Sequence, residues 1–399
     1  MSKHYIFFTR KVLPQPLADL VQVTHNANAA ANLGYAAVLI YLQKGLKAAN
    51  PIDWLYPFRP REPEAEIAKF YNMQEKLKVI PLSMPWPIDR WDNKITNSST
   101  VVSKYYFPYH ILPQTQIVHT RDWNFVKVAI ARGIPAIYEH HHHENKRFEP
   151  EVANHPLLQV AVTVADSVRD SMIANGMPAA KTVKIHNGFN RLFLERHPAQ
   201  AAEWRQKLLT SDRPHLVVYS GGLHKFKGVD LLVDVAQQLP KVQFAFAGGN
   251  AQQVANYQQL AKSKNVENTT FLGHLSQDNL PSLLQAADVL AHPHCANEEA
   301  TFTSPLKLFD YMASGTAIAA TEILPLKEFQ QANIAAGWCE PDNPVAFAKC
   351  LQQVLINYPR KVAGYSEEME FVQQFSCENR IQKILSYVQE SLRPVITIK

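Results

Sequence analysis

The chain has 399 residues, 46% of them hydrophobic and 19% charged, with a net charge of +5. One hydrophobic core rarely grows that far, so two domains are expected, in an ordinary globular chain rather than a disordered or fibrous one. No apolar run approaches the ~18 residues of a membrane-spanning helix, and the dense basic clusters with interleaved aromatics that mark a nucleic-acid binder are absent.

Taken in chain order, YIFFTR (5–10) is too short for the core of a signal peptide and reads as a first buried strand. The expected location is therefore the cytoplasm, with peripheral contact with a membrane as the alternative. QVTHNANAAANLG (22–34) has helical spacing, and YAAVLIYL (35–42) and LKVIPL (77–82) are strands. Segment 81–113, rich in Pro, Trp and Tyr, reads as a surface loop or excursion. TQIVHT (115–120), IPAIYEH (134–140), VAVTVA (160–165) and KTVKIHNG (181–188) are further strands, with the helical NFVKVAIARG (124–133) among them.

The second half repeats the rhythm more cleanly. LVVYSG (216–221), VQFAFAGG (242–249), TTFLG (269–273), DVLAHP (288–293) and TAIAAT (316–321) are strands. VDLLVDVAQQL, YQQLAKSK, LPSLLQAA and SPLKLFDYMASG are the helices between them. Strands alternating with helices predict an α/β protein with parallel, doubly wound sheets. A boundary near 190–214 separates an N-terminal domain over 1–195 from a C-terminal one over 210–375, and a last helix over about 378–399 can pack back on the first. In such folds ligands bind at the carboxyl ends of the strands, so the chemistry is expected on loops facing between the domains.

Charge is unevenly spread: residues 1–200 hold 23 Lys+Arg against 16 Asp+Glu, and 11 of the 16 histidines, leaving 17 against 19 for the rest. A basic half suits an anionic partner such as a phosphorylated acceptor or a membrane surface; a solvated, mildly basic surface fits equally. The four cysteines (Cys295, Cys339, Cys350, Cys377) show no Cys-x-x-Cys spacing and read as reduced thiols.

Three constellations can carry chemistry. Ser220 to Gly228 joins a strand to a helix; Gly221 and Gly222 let the backbone approach a ligand, and Lys227 adds a charge suited to a diphosphate. The alternative is a flexible turn with a surface lysine. In Thr303 to Gly315, Ser304 is an N-cap and Pro305 the first helical residue. Lys307 in the first turn opposes the helix dipole, which favours acids there, and a rule broken at a helix mouth hints at function. Asp310 lies within hydrogen-bonding reach of a ribose, or simply on the wet face of a core helix. Third comes Glu139-His140-His141-His142-His143-Glu144. Neighbouring side chains on an extended segment face opposite ways, so four adjacent histidines rarely converge on one metal ion.

TSPLKLFDYMASGTAIAAT, together with VVYSGGLHKFKGVDLLVDVA, FAFAGGN and TTFLGHLS, resembles the GT-B fold glycosyltransferases of family 4, which are retaining enzymes using nucleotide-activated sugars. VTVADSVRDSMIANGMPAAKTVKIHNGFN and IVHTRDW…GIPAIYEHHH extend the likeness, which covers about residues 115–360. The resemblance implies two Rossmann-like domains facing across a cleft. It implies a hexosyltransferase moving a sugar from a nucleotide donor, expected to be a UDP-sugar, to a hydroxyl acceptor in surface glycan, glycolipid or glycoside synthesis.

Residue by residue, it gives Lys227 the donor diphosphate and Asp310 the ribose. Thr303, Ser304, Pro305, Leu306 and Lys307 form the turn that cradles phosphate. Gly273 and His274 hold the nucleobase, and Gly221, Gly222, His224 and Gly248 complete the donor pocket. His141 would meet a sugar hydroxyl and act with Lys227 in catalysis, with His140, Glu298 or Glu299 as further contacts to the donor sugar. Two positions depart from the family pattern: Phe302 stands where many members have a first glutamate, and Gly222 where an arginine often accompanies the lysine. His25-Asn26-Ala27-Asn28 on the first helix is an acceptor-side candidate, with a capping or surface role the simpler expectation.

Helix mouths and a lysine suffice to stabilise a departing diphosphate, so no metal or other cofactor is expected. Two rival classes stay open. A nucleotide-dependent epimerase or oxidoreductase would need a GxGxxG after the first strand, where KVLPQPLADL stands instead. A non-catalytic sugar-nucleotide binding protein is compatible with both departures.

Overall fold

A computed structural model describes residues 3–15, 17–44, 58–73, 76–84, 102–276, 278–297 and 306–396. The chain divides into two compact units, Met1–Gly188 with Cys377–Lys399, and Phe189–Ser376.

In the first unit the order is β1 (His4–Val12), α1 (Ala18–Asn32), β2 (Ala37–Lys44), α2 (Ala65–Tyr71), β3 (Lys78–Met84), β4 (Thr115–Thr120), α3 (Trp123–Ala131), β5 (Ala136–Glu139), α4 (Pro150–Ala153), β6 (Leu158–Thr163), α5 (Asp166–Ala174) and β7 (Thr182–Lys184). All seven strands are parallel, in the order β3-β2-β1-β4-β5-β6-β7. Successive side chains of a strand point to opposite faces, and β1 shows the result. Tyr5 and Phe7 enter one core, while Ile6 and Phe8 enter another. Both faces are covered, as a parallel sheet requires.

One expectation is overturned here. Residues 102–114 are not a surface loop: Val102–Ile111 is π-helical and Leu112–Gln114 a 3-10 turn. Val102, Phe107, Ile111 and Leu112 are buried with Phe8 and Phe125. Apolar burial outweighs the composition, and Pro108 is accommodated inside the helical segment. The stretch 85–101 lies outside the described residues.

The second unit begins with α6 (Pro198–Leu208), inside the segment read as a linker, and continues β8 (His215–Ser220), α7 (Val229–Gln238), β9 (Val242–Ala247), α8 (Ala251–Ser263), β10 (Thr269–Gly273), α9 (Leu280–Ala286), β11 (Val289–His292), α10 (Leu306–Ala313), β12 (Ile318–Thr321), β13 (Ala336–Cys339), α11 (Pro344–Asn357) and α12 (Ser366–Val372). Its six strands are also parallel, ordered β10-β9-β8-β11-β12-β13. Leu216 and Val218 fill one core, Val217 and Tyr219 the other. The chain then returns to the first unit through α13 (Cys377–Ser386), whose Ile381, Ile384 and Leu385 join the core beneath α1.

In each sheet the strand order reverses beside the first strand of its unit, at β1/β4 and at β8/β11. At such switch points the loops leave in opposite directions and open a crevice at the carboxyl ends. Around β8/β11 the two loops are tied together: Cys295 N donates to Phe226 O at 3.0 Å. Gly228, at φ +71°, leaves room for the Pro293 carbonyl, which would stand 1.8 Å from an added Cβ. Gly273 has a similar φ of +69° but open space where its Cβ would be. Gly273→Ala should therefore lose only the ~1–2 kcal/mol of a left-handed alanine. Gly228→Ala adds a backbone collision of ~1–3 kcal/mol or more. Urea unfolding of the two variants should rank Gly228→Ala well below Gly273→Ala.

Candidate functional site

Around the β8/β11 crevice, β8 and β9 are each followed by a glycine, β10 ends in Gly273 and β11 in His292. Gly221, just past β8, has φ +132°, and Gly248, just past β9, has φ +130°, a conformation other residues rarely adopt. Gly221 N donates to Ala247 O at 2.8 Å and Gly248 N to Gly273 O at 2.6 Å, so the three glycines form a row along the sheet edge. A Cβ on Gly248 would lie 2.1 Å from Gly221 O. The row is a close approach of backbones that leaves no side chains in the way.

Two lysines stand on this floor. Lys227 ends the 3-10 turn Lys225–Lys227, and Gly228 then caps α7 with no side chain to occupy its first amides. Lys307 projects from the first turn of α10. The Lys307 Nζ lies 3.2 Å from where a Gly221 Cβ would be, and the Lys227 Nζ 3.6 Å from that of Gly222. Neighbouring glycines therefore mark neighbouring ammonium groups. The Lys307 Nζ is buried without a hydrogen-bond partner among the described residues and sits 3.9 Å from the centroid of the Tyr219 ring, a cation–π contact. Lys227 makes no ion pair among the described residues.

Burial, and then the charge of Lys227, hold the Lys307 amine well below its ordinary value. Burial likewise lowers Lys227. Asp310, one turn along α10, is raised by burial to about 8 against the pull of Lys307. At the end of β11, His292 and His294 stack with ring centroids 4.2 Å apart, both buried, each Nδ1 without a partner among the described residues. Burial keeps both well below the usual histidine range; the Lys307 and Lys227 charges depress each further, and His292 also depresses His294. They are neutral at pH 7. Thr321 Oγ1 donates to His294 O at 2.7 Å and fixes this loop. The Tyr311 hydroxyl accepts from Ser220 N at 2.9 Å, and Tyr219 donates to Gly222 O at 3.0 Å. An electropositive, glycine-floored crevice whose two lysines have no ion pair among the described residues is suited to receive an anion.

In the first unit the charge is satisfied instead. Glu139, at the end of β5, is 2% exposed. Its Oε1 accepts from Arg380 Nη1 at 2.8 Å, His119 Nε2 at 2.6 Å and Asn26 Nδ2 at 3.2 Å. Its Oε2 accepts from Arg380 Nη2 at 3.1 Å, Gln22 Nε2 at 2.6 Å and His141 Nε2 at 2.9 Å. Burial alone would raise this carboxyl, but Arg380, His119 and His141 outweigh it and hold it well below the carboxylate range.

The histidine tract diverges. His141 turns to Glu139; His140 takes the Tyr138 hydroxyl at 2.9 Å and packs at a tilt against His142, with ring centroids 4.2 Å apart. Among the described residues no three His, Cys, Asp or Glu side chains are grouped to hold a metal ion.

The structure thus brings together Gly221, Gly222, Lys227, Gly248, Gly273, Lys307 and Asp310, with Leu306 beside Lys307 in the first turn of α10. His224 and His274 are exposed at the rim. His140 and His141 lie in the other unit. Thr303, Ser304, Pro305, Glu298 and Glu299 lie outside the described residues, as does Phe302. The capping or surface role expected of His25-Asn26-Ala27-Asn28 is corrected: these residues sit within α1, and Asn26 is buried on Glu139. That face of α1 also carries Leu20, Val23, Ala27 and Ala30 into the core. Sequence reasoning missed His119, Arg380, His292 and His294. For the last two, polar residues closing an apolar strand were a usable signal; for Arg380, 241 residues from Glu139, there was none.

Residues 200–369 match the family model described as Glycosyl transferases group 1. The alpha-galactosylglucosyldiacylglycerol synthase of Streptococcus pneumoniae is 27% identical over 144 residues, covering 34% of this chain and 38% of that protein. The chain thus aligns with well under half of that relative's length.

Among solved structures, Anabaena HepE in complex with UDP and glucose aligns with a TM-score of 0.67 at 16% identity, over 96% of this chain and 98% of that one. Sucrose-phosphate synthase from Thermosynechococcus elongatus gives 0.66 at 16%, over 96% and 98%. WaaG, a glycosyltransferase involved in lipopolysaccharide biosynthesis, gives 0.61 at 13%, over 97% and 100%. At such identities the likeness is one of fold. That fold is the two-domain Rossmann-like α/β fold of GT-B glycosyltransferases, as the sequence resemblance implied, and family 4 is consistent with it.

The buried Asp310 makes stability depend on pH. Its folded value of about 8 lies above an unfolded value near ~4. The contribution is fully present below pH ~4 and is lost as pH rises to about 8. Glu368, raised by burial to about 9, acts in the same direction. Asp310→Asn should therefore shrink, without abolishing, the drop in urea midpoint between pH 5 and pH 8.

Proposed function

We propose that this chain is a retaining glycosyltransferase that moves a hexose from a nucleoside diphosphate sugar, with UDP as the nucleotide, to a hydroxyl acceptor. The observation that carries the reading is the pair of lysines, Lys227 and Lys307, set on a glycine floor at a topological switch point with no ion pair among the described residues. A diphosphate matches that demand for negative charge. The fold and the match over residues 200–369 support the same reading.

Breaking the anomeric C–O bond leaves an oxocarbenium-like sugar and adds negative charge to the diphosphate. Fixed amides and two lysines in a partly dehydrated site stabilise that charge best where it grows, which lowers the barrier. On this reading the lysines stand in for a metal ion, and none is required. Retention follows from front-face attack, the departing phosphate oxygen taking the acceptor's proton. Glu139 is unsuited to be a nucleophile, since six donor contacts already engage its two oxygens.

In the proposal Asp310 accepts from a ribose hydroxyl, Gly273 and His274 border the base, and His141 meets a sugar hydroxyl. Gly222 leaves the place of an arginine empty, and Lys307 supplies the second cation. The acceptor is a hydroxyl on a glycan, a lipid or a small molecule, and the cytoplasm, with peripheral membrane contact as the alternative, is the proposed location. No helix of the described residues is long and apolar enough to cross a membrane.

A second reading, binding without transfer, draws on Phe302 and Gly222 standing where the family pattern has a glutamate and an arginine. Calorimetry with UDP, GDP and ADP, followed by assays of donor consumption, separates the two. UDP should bind tightest. Lys227→Ala and Lys307→Ala should each weaken it about 10- to 100-fold, the worth of a charged hydrogen bond, while thermal unfolding stays cooperative. Full transfer activity in Lys227→Ala would sink the assignment of that lysine.

A further inference from the structure

Glu139 draws donors from four other elements: Gln22 and Asn26 from α1, His119 from β4, Arg380 from α13, and His141 from the loop after β5 itself. A carboxylate held in its charged form only accepts hydrogen bonds. Each nitrogen facing it must therefore carry a hydrogen. For Arg380, Gln22 and Asn26 that is automatic. For the two histidines the carboxylate requires a hydrogen on the nitrogen that faces it, which in a neutral ring sets the tautomer. His119 donates through Nε2, and its Nδ1 lies 2.9 Å from the Tyr5 hydroxyl.

His141 donates through Nε2 at 2.9 Å, and its Nδ1 has no hydrogen-bond partner among the described residues. Its side chain is only 8% exposed, so the ring has little freedom to turn. Burial, with the Arg121 charge, lowers His141 to about 4 despite Glu139, and the ring is neutral at pH 7. The groups around it are thus Glu139, Arg121 and Arg380. A neutral imidazole whose Nε2–H is engaged offers one thing to a ligand, a lone pair on Nδ1.

We infer that Glu139 and Arg380 are positioning residues: together they hold His141 as the Nε2–H tautomer and present its bare Nδ1 as an acceptor for a sugar hydroxyl. The inference rests on the proposal above that the chain handles a sugar. The division of labour is physical. Arg380 grips both carboxylate oxygens in a fork, which fixes the plane of Glu139 as one ammonium could not. Glu139 then fixes the ring. Arg380 belongs to α13, so a residue from a helix far along the chain sets the state of one just past β5, at the first sheet's carboxyl edge.

Two-bond proton–nitrogen spectra of the full chain labelled at histidine nitrogens test this, with His141→Gln identifying the signal. The wild type at pH 7 should show Nε2 protonated and Nδ1 bare. Glu139→Gln should lose that single signature, because an amide can donate as well as accept. It should also lower kcat/KM about tenfold, the scale of one hydrogen bond. Arg380→Lys, which keeps the charge but not the fork, should retain the signature and fall between the two in activity.

A wild-type His141 protonated at Nδ1, or at both nitrogens, would overturn the inference even if Glu139→Gln does not fold. So would an unchanged signature in Glu139→Gln. UDP affinity is read separately: its absence in the wild type defeats the transferase proposal, whereas a normal affinity with the wrong tautomer defeats only this one.

Discussion

A parallel sheet sends every strand's carboxyl end to the same edge, and that constraint places everything of chemical interest in this protein. In the second unit it aligns Gly221, Gly248 and Gly273 at the ends of three neighbouring strands, with His292 at the end of a fourth. In the first it brings His119 on β4 within 2.6 Å of Glu139 on β5. The helices on both faces follow from the same arrangement, because a parallel strand needs a crossover to begin the next. Residues far apart in sequence meet on that edge without any local signal of their meeting.

The two units treat buried charge in opposite ways, and the contrast separates architecture from function. Glu139 is removed from water and fully compensated, by a forked arginine, two histidines and two amides. Breaking such a cluster from one side leaves a bare charge and costs about 3–5 kcal/mol. Lys307 is removed from water with less in return: its amine has an aromatic face, the pull of Asp310 and no hydrogen bond among the described residues. A native fold rarely leaves a buried cation in that state without a ligand to complete it. The same logic accounts for the neutral pair His292 and His294, which can lie beside two lysines only because burial strips them of charge.

The alternation of strand and helix was legible in the sequence because buried parallel strands are short apolar runs and their helices repeat at a different period. The glycines and Lys227 were legible for a related reason: a strand that stops at glycine before a helix has few other uses. Less was legible where burial overrode composition. Pro108 and the tyrosines around it read as an excursion, yet Val102, Phe107 and Ile111 carry that segment into the core. The histidine tract showed that its members would diverge, but not which of them would find a partner. His25 to Asn28 looked like helix surface, since nothing nearby announces a carboxylate 113 residues away from Asn26.

By itself the sequence determined the class of the fold, the order of most of its elements, and the loop where a lysine meets two glycines. Those properties depend on neighbours within a few residues, where spacing and side-chain type suffice. Only the tertiary structure decided which charges are satisfied. It joined α13 to the first sheet through Arg380, turned Asn26 and Gln22 inward, and set Lys307 above Tyr219 beside the row of glycines. The balance of desolvation against partners is a sum over atoms that the chain brings together only when folded, so no window of sequence contains it.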